Sequence, residues 1–304
     1  MMTTTAVESS QACLLFLHAQ TPVHPGSGTA LGVIDLPVQR ERHTLWPTVP
    51  GSSLKGVLRD ACRRQGGGSA ENEPLLAAFG PETNQPEKHA GAVAITDARI
   101  LAFPVRSLRG VFAWVTCPAV LERMRRDAAL ADLDGSPAAA LSLPQRNACL
   151  CAAASPLLVE GDRLVLEEFE FQRTADADPV AAWIAPRAFA DQCTRDRFTS
   201  HLVVLDDDHF THLVRHATEV VARIGLDYEK KTVKNGALFY QEFLPAETLF
   251  YAVVFANASR RENYDKAAAD MLRYVVAGVP KVLQIGGDET TGKGLCAVRF
   301  SFSQ

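Results

Sequence analysis

The sequence predicts an α+β fold, and three observations carry that prediction. Short apolar runs bounded by turn residues recur along the chain and read as strands. The C-terminal stretch orders its segments as strand, helix, strand, glycine loop, strand. No fixed-period repeat is present, which sets aside solenoids and propellers.

Taken in order, Cys13 to Ala19 (CLLFLHA) is a short apolar strand followed by turn chemistry. His24 to Gly32 has three glycines in nine residues and is irregular. Ser53 is the predicted N-cap of a helix over LKGVLRDACRR, whose Leu54, Val57, Leu58 and Ala61 share one face. That helix ends at Gly66-Gly67-Gly68. Two polar loops, Ser69 to Pro74 and Pro81 to Gly91, mark residues 66–91 as a loop-rich insertion in a single domain spanning 1–304. Val93 to Phe103 and Val111 to Cys117 read as strands, and Pro118 to Leu130 as a helix with proline at its start. Leu157 to Phe171 reads as a hairpin turning near Glu160-Gly161-Asp162, and His201 to Leu205 as another strand.

Asp206 to Asp208 open a helix expected to reach about Ile224, three acids suiting the positive end of its dipole. Phe239 to Phe243 and Thr248 to Ala256 are strands around a Pro245 turn. Asn263 to Val276 is a helix with Ala268, Met271, Leu272 and Val275 on one side. Val282 to Ile285 and Leu295 to Phe302 are the last strands. This closing order is most of a βαββ unit, the ferredoxin-like or RNA-recognition arrangement.

Composition bounds the function classes. The chain has 304 residues, is 47% hydrophobic and 22% charged, and so is ordinary for a globular protein. Its apolar runs, such as Leu249 to Ala256, fall short of a bilayer span. Met1 to Gln11 has no positive n-region and no apolar h-region, so no secretory signal is expected. The seven cysteines form no CxxC pair, and reduced cytoplasmic thiols are expected. Cys149 and Cys151 read as two positions on one strand face. A net charge of -4 argues against a uniformly basic nucleic-acid binder.

Several constellations can carry chemistry. In HPGSG, Gly26, Ser27 and Gly28 follow His24, and glycines let a backbone approach a phosphate chain closely. Arg40 and Arg42 flank that loop with charge suited to phosphate. Asp35 has no acidic neighbour until Glu41; a lone loop aspartate can hold a divalent ion or take a proton, and equally serves as a turn or capping residue. Ser52 and Ser53 open the helix carrying Lys55 and Arg59, a ready anion site or an ordinary solvated helix.

Gly286, Gly287, Gly292, Lys293 and Gly294 lie in IGGDETTGKGL. Gly287-x4-Gly292-Lys293 matches a phosphate-binding P-loop up to its last position, but Gly294 stands where Ser or Thr is required and a strand follows. A glycine-rich loop for a phosphate backbone, or a plain turn between strands, fits better. Tyr228 to Lys234 puts basic charge beside the strand aromatics Phe239, Tyr240 and Phe243, as an RNA-stacking surface or an amphipathic hairpin would. His209, His212 and His216 share a helical face, as metal ligands or as solvated imidazoles.

TPVHPGSGTALGVIDLPVQRERHT, then WPTVPGSSLKGVLRD, ALFYQEFLPAETLFY and IGGDETTGKGL, occur in an order that resembles the RAMP superfamily. More narrowly, they resemble the backbone subunits of type III-B CRISPR (Cmr) effector complexes. The resemblance implies a modified ferredoxin-like or RNA-recognition-motif core with large insertions, described as palm, fingers and thumb. It places insertions, including a thumb hairpin, in residues 140–245, with Asp227 to Gly236 and Ala185 to His201 as thumb candidates. It implies copies stacked in a helical filament along crRNA, together with other subunits of the complex. Each thumb would interrupt the guide–target duplex, and complementary target RNA would be cut at regular intervals with a divalent metal, Mg2+ or Mn2+.

By the same resemblance Asp35 is the catalytic and metal-binding residue, His24 stands at the family's histidine, and either Glu242 or its neighbour Gln241 stands at a supporting position, Glu242 being the one that supplies an acid. Gly26, Ser27, Gly28, Arg40, Arg42, Ser52, Ser53, Lys55, Arg59 and the glycine loop would bind RNA. A purely structural, non-cutting guide-binding subunit is the alternative.

The chemistry stands apart from the resemblance. RNA carries its own nucleophile, the 2′-OH, so one carboxylate and in-line geometry can suffice. Charge distribution agrees with an RNA partner: residues 36–66 carry six basic side chains against two acidic ones.

Overall fold

The computed structural model describes residues 11–30, 32–68, 72–81, 89–133, 135 and 145–303. The strands among them are β1 (Gln11–Ala19), β2 (Thr48–Val49), β3 (Val93–Ile95), β4 (Ala98–Arg106), β5 (Phe112–Thr116), β6 (Ala148–Leu150), β7 (Arg163–Leu166), β8 (Phe169–Ala175), β9 (Leu202–Val204), β10 (Glu219–Leu226), β11 (Val233–Phe243), β12 (Leu249–Ala256), β13 (Val282–Gln284) and β14 (Leu295–Ser301). The helices are α1 (Gly51–Gln65), α2 (Glu73–Phe79), α3 (Pro118–Ala129), α4 (Asp178–Ala188), α5 (Gln192–His201), α6 (Asp207–His216) and α7 (Ala268–Gly278). The class is mixed α and β.

Twelve strands make one mixed sheet, in the order β13-β14-β1-β12-β4-β5-β9-β6-β8-β7, with β2 added to β4 and β3 to β12. The β5–β9 and β6–β8 pairs are parallel, and the others are antiparallel. β1 is its centre. Residues Cys13 to Ala19 are buried without alternation, which requires cover on both faces. α7 and α4 both pack against β1, and β12 and β14 pair its two edges in register at Phe16 with Tyr251 and Arg299. The closing order of strand, helix, strand, glycine loop, strand is present as β12, α7, β13, loop and β14.

β10 and β11 form a separate two-stranded hairpin. Here the structure corrects the expected helix to Ile224. α6 ends at His216, and Ala217 caps it by donating to the Leu213 carbonyl. Val220, Val221 and Ile224 then run as a strand, the conformation their branched Cβ atoms favour.

Other boundaries shift for local reasons. α1 starts at Gly51, because the Asp97 carboxylate accepts the Gly51 N–H at 2.7 Å; Ser53 therefore lies inside the first turn and makes no cap. The strand expected over Val93 to Phe103 is two, β3 and β4. α7 begins at Ala268, five residues after Asn263. Within residues 66–91, Asn72 caps α2, whose Leu75, Ala77, Ala78 and Phe79 are buried; residues 69–71 and 82–88 of that stretch lie outside the described residues. Most of Ala185 to His201, one thumb candidate, is the end of α4 and the whole of α5; Ala185, Ala188 and Phe198 are buried there. The other candidate, Asp227 to Gly236, is the turn of the β10–β11 hairpin and the start of β11. No helix among the described residues is long and apolar enough to cross a membrane.

Candidate functional site

Three segments converge where the hairpin leaves the sheet: residues 23–30 with 32–40, the last residues of β11, and the glycine loop between β13 and β14. β1 hands the chain on through Val23, which exchanges backbone hydrogen bonds with Leu244 at 2.9 and 2.8 Å. His24 follows and is 7% exposed. Its Nδ1 lies 2.7 Å from the Glu242 carbonyl oxygen. A carbonyl only accepts, so Nδ1 carries a hydrogen and a neutral ring leaves Nε2 as acceptor. The ring stands 5.5 Å from Phe243. Gly26 passes so close that a Cβ there would lie 2.8 Å from Nε2.

The glycine loop closes on the same histidine. Gly287 N–H donates to the His24 carbonyl at 3.0 Å. Gly286 adopts φ +84°, and a Cβ at that position would collide with the same carbonyl, so glycine is required. Asp288 is left-handed at φ 65°, and its carbonyl accepts from the N–H groups of Thr291 and Lys293. Gly294 is buried and bonds Pro22 and Ile285, while Gly292 is exposed. Lys293 places its ammonium 5.1 Å from the Phe243 ring, and Arg223 places its guanidinium 5.5 Å from it.

Asp35 sits on the free edge of β11. Its N–H and that of Leu36 donate to the Tyr240 carbonyl at 3.1 and 3.0 Å, and Glu242 N–H donates to Leu36 at 3.0 Å. Oδ2 of Asp35 accepts the Tyr240 N–H at 2.7 Å. The half-exposed carboxylate is thus fixed by one oxygen and presents the other at the root of the hairpin.

Glu242, expected as a supporting acid, is 3% exposed. Oε2 accepts from Val38 N–H at 2.9 Å; Oε1 accepts from Arg40 at 2.6 Å and Thr218 at 2.9 Å. Arg40, expected on phosphate, also donates to the carbonyls of Leu45 and Val214, both at 3.0 Å. The two are ion-paired across 202 residues and tie the loop to the hairpin base. Arg42 is exposed, Gly26 bridges Val38, and Ser27 donates to the Pro37 carbonyl. Gly28 is exposed as well.

The α1 group is a separate flank. Ser52 and Ser53 are exposed; Lys55 and Arg59 are half-buried. Arg59 donates to the carbonyl of Gly80 at 2.9 Å. Burial first, then the charge of Arg59, holds the Lys55 ammonium below its ordinary pKa. A groove of about 490 Å³, lined by Asp60, Arg64, Gln284 and Glu289 among others, separates α1 from the glycine loop.

Two participants, Arg223 and Thr218, escaped the sequence, and the role of Gln241 did too. Arg223 lies 3.1 Å from Oδ1 of Asp288, and Gln241 donates to Oδ2 at 2.6 Å. The Gly-Gly-Asp triplet announces a turn, but nothing in it points to the partners on the hairpin. Thr218, on Glu242, is equally silent. Among the described residues no group of three or more His, Cys, Asp or Glu is placed to hold a metal. The α6 histidines pair otherwise: His209 with Asp206 at 2.6 Å, and His212 against His216 at 4.6 Å between ring centres.

The RAMP superfamily profile matches residues 16–297. This chain belongs to the RAMP superfamily. This RAMP chain is 38% identical over 291 residues to the CRISPR system Cmr endoribonuclease Cmr4 of Pyrococcus furiosus, covering 95% of each protein. It is 26% identical over 311 residues to the CRISPR system CMR subunit Cmr4 of Saccharolobus solfataricus, covering 94% of this chain and 95% of that one. Among solved structures, oligomeric Cmr4 from Pyrococcus furiosus superposes with a TM-score of 0.73 at 30% identity, covering 97% of this chain and all of that one.

Proposed function

We propose that this RAMP chain is a backbone subunit of a type III-B CRISPR effector. In this reading copies of the chain stack with other Cmr subunits along crRNA in the cytoplasm, and each cuts complementary target RNA at Asp35. The relative from Pyrococcus furiosus, an endoribonuclease by name and similar over nearly the whole chain, supports the assignment. The neighbouring strands β14, β1, β12 and β4, with α1 and α7 in the connections, support a ferredoxin-like palm. We read the β10–β11 hairpin as the thumb.

The observation that carries the reading is the placement of Asp35. Its carboxylate is held against the outer edge of the hairpin root, where Phe243 also carries the Lys293 ammonium, a charge suited to a phosphate backbone. A hairpin that interrupts a duplex forces a target nucleotide out of its stack at that root. Its 2′-OH can then reach the line of attack on the adjacent phosphorus. Asp35 takes the 2′-OH proton, the O2′–P bond forms, and the P–O5′ bond breaks. The products are a 2′,3′-cyclic phosphate and, after the leaving oxygen gains a proton, a 5′-hydroxyl. His24, bonded to both the β11 backbone and the glycine loop, holds the segments at this spacing.

The residues present suit a divalent ion only in part. Asp35 offers one carboxylate oxygen, and both Glu242 oxygens are taken. Mg2+ or Mn2+ would be held by Asp35 and the RNA's own phosphate oxygens, a shared mode that Mg2+ favours. Bound there, the ion supplies charge stabilisation to the phosphate.

A specific observation favours the non-cutting alternative: the Asp35–Tyr240 bond makes Asp35 a strap for the loop. Asp35→Asn separates the two readings, because an amide oxygen still accepts the Tyr240 N–H while the charge is gone. In complexes assembled on guide RNA, Asp35→Asn should bind target normally and cut it at least about a hundredfold more slowly. Cutting at the wild-type rate would assign Asp35 to structure alone.

A further inference from the structure

We infer that Asp288 is a positioning residue that latches the glycine loop to the hairpin, so that the loop's occupancy by guide sets the hairpin's angle and the placement of Asp35. The inference rests on the guide-binding and cutting reading above and extends it to a coupling between the two regions. Asp288 spans the gap with both carboxylate oxygens: Oδ1 to Arg223 on β10 at 3.1 Å, Oδ2 to Gln241 on β11 at 2.6 Å. The contacts are mostly shielded, Gln241 being 4% exposed and the side chains of Arg223 and Asp288 25% and 20%.

The backbone of the same residue organises the loop, accepting from Thr291 and Lys293. Asp288 is thus shared by two regions that otherwise meet through the Lys293 ammonium over Phe243 and, indirectly, through His24. The opposite edge of the root is held by Asp35 and Leu36 on Tyr240. A ribbon gripped at one edge can pivot about that edge; a second grip on another side removes the pivot. Without the latch, the hairpin and the strapped Asp35 rock relative to the guide-bearing loop, and the target phosphodiester meets the carboxylate less often.

The test is a double-mutant cycle in the assembled complex. Asp288→Asn tolerates the left-handed backbone and removes the charge; Arg223→Met leaves the loop untouched. Each single variant should retain guide and target binding, slow cutting about tenfold and spread the cut positions. The double variant should be no slower than the worse single one, the signature of one shared interaction. Rates and positions matching wild type in either variant, or additive losses in the double, would overturn the latch. So would a loss confined to guide binding, which would make Asp288 a simple loop ligand.

Backbone hydrogen exchange on the purified chain supplies a readout independent of RNA. Amides of 221–224 and 239–241 should exchange about tenfold faster in either single variant. Unchanged exchange overturns the latch even if cutting falls. An Asp35→Asn complex that still cuts would instead sink the cutting reading, leaving the exchange result to judge the latch alone.

Discussion

The β1–β12 ladder and the β10–β11 hairpin are both antiparallel and both rich in apolar residues, yet they differ in what covers them. In β1, Leu14 to Leu17 are fully buried, and β12 is nearly so. In the hairpin, Ile224 is 51% exposed, Leu238 is 53% exposed and Tyr228 at the turn is 85% exposed. Strand-forming residues therefore serve two ends in one chain. In the sheet they exclude water on both faces. In the hairpin they stiffen a ribbon that a two-stranded ladder alone holds only marginally. That ribbon depends on its root, and the root is where Asp35, Glu242 and Asp288 attach.

The contrast breaks first if stability fails to follow cover. Phe16→Ala should cost about 3–5 kcal/mol in denaturant unfolding, since it empties a fully buried site. Ile224→Ala should stay within about 0.5 kcal/mol, as exposed substitutions do. Equal losses would show that the hairpin is covered within the monomer.

A smaller effect sharpens the root. Glu242→Ala should cost about 3 kcal/mol by stranding Arg40 and the Val38 N–H, and should slow cutting by releasing the Asp35 loop. Asp35→Asn should leave stability nearly unchanged, so the pair separates holding from reacting.

The smallest effect lies away from the root, between α5 and the turn before β5. Burial first, then the charge of Arg197, holds the His201 pKa below its ordinary value. The unfolded chain then binds the proton more readily. His201 therefore destabilises the fold as pH falls through the window below about 6.5, and has no such effect above it. Urea midpoints at about pH 7.5 and about pH 5.5 should converge more closely in His201→Gln than in wild type. An unchanged difference would remove His201 from that dependence.

Much of this was legible beforehand. β1, β12 and β14 announce themselves because apolar runs that short and continuous bury in only a few ways. Asp35 stood out as a lone acid in a glycine-rich loop. Arg40 and Glu242 were legible as charges but not as a pair, because a contact across 202 residues leaves no local trace. The hairpin was half seen. A helix pattern opened by three acids runs directly into Val220 and Val221, and only pairing with β11 decides where it stops. Asp288 was invisible as a link, since its partners belong to strands the turn does not touch in sequence.

The most direct measurement is the structure of the assembled complex with guide RNA and a target made uncuttable by 2′-deoxy substitution. A target phosphodiester should lie within about 3 Å of the Asp35 carboxylate, or one water further, with the β10–β11 hairpin breaking the stack beside it. A target strand that runs along another face, leaving Asp35 without a phosphate in reach, would contradict the account.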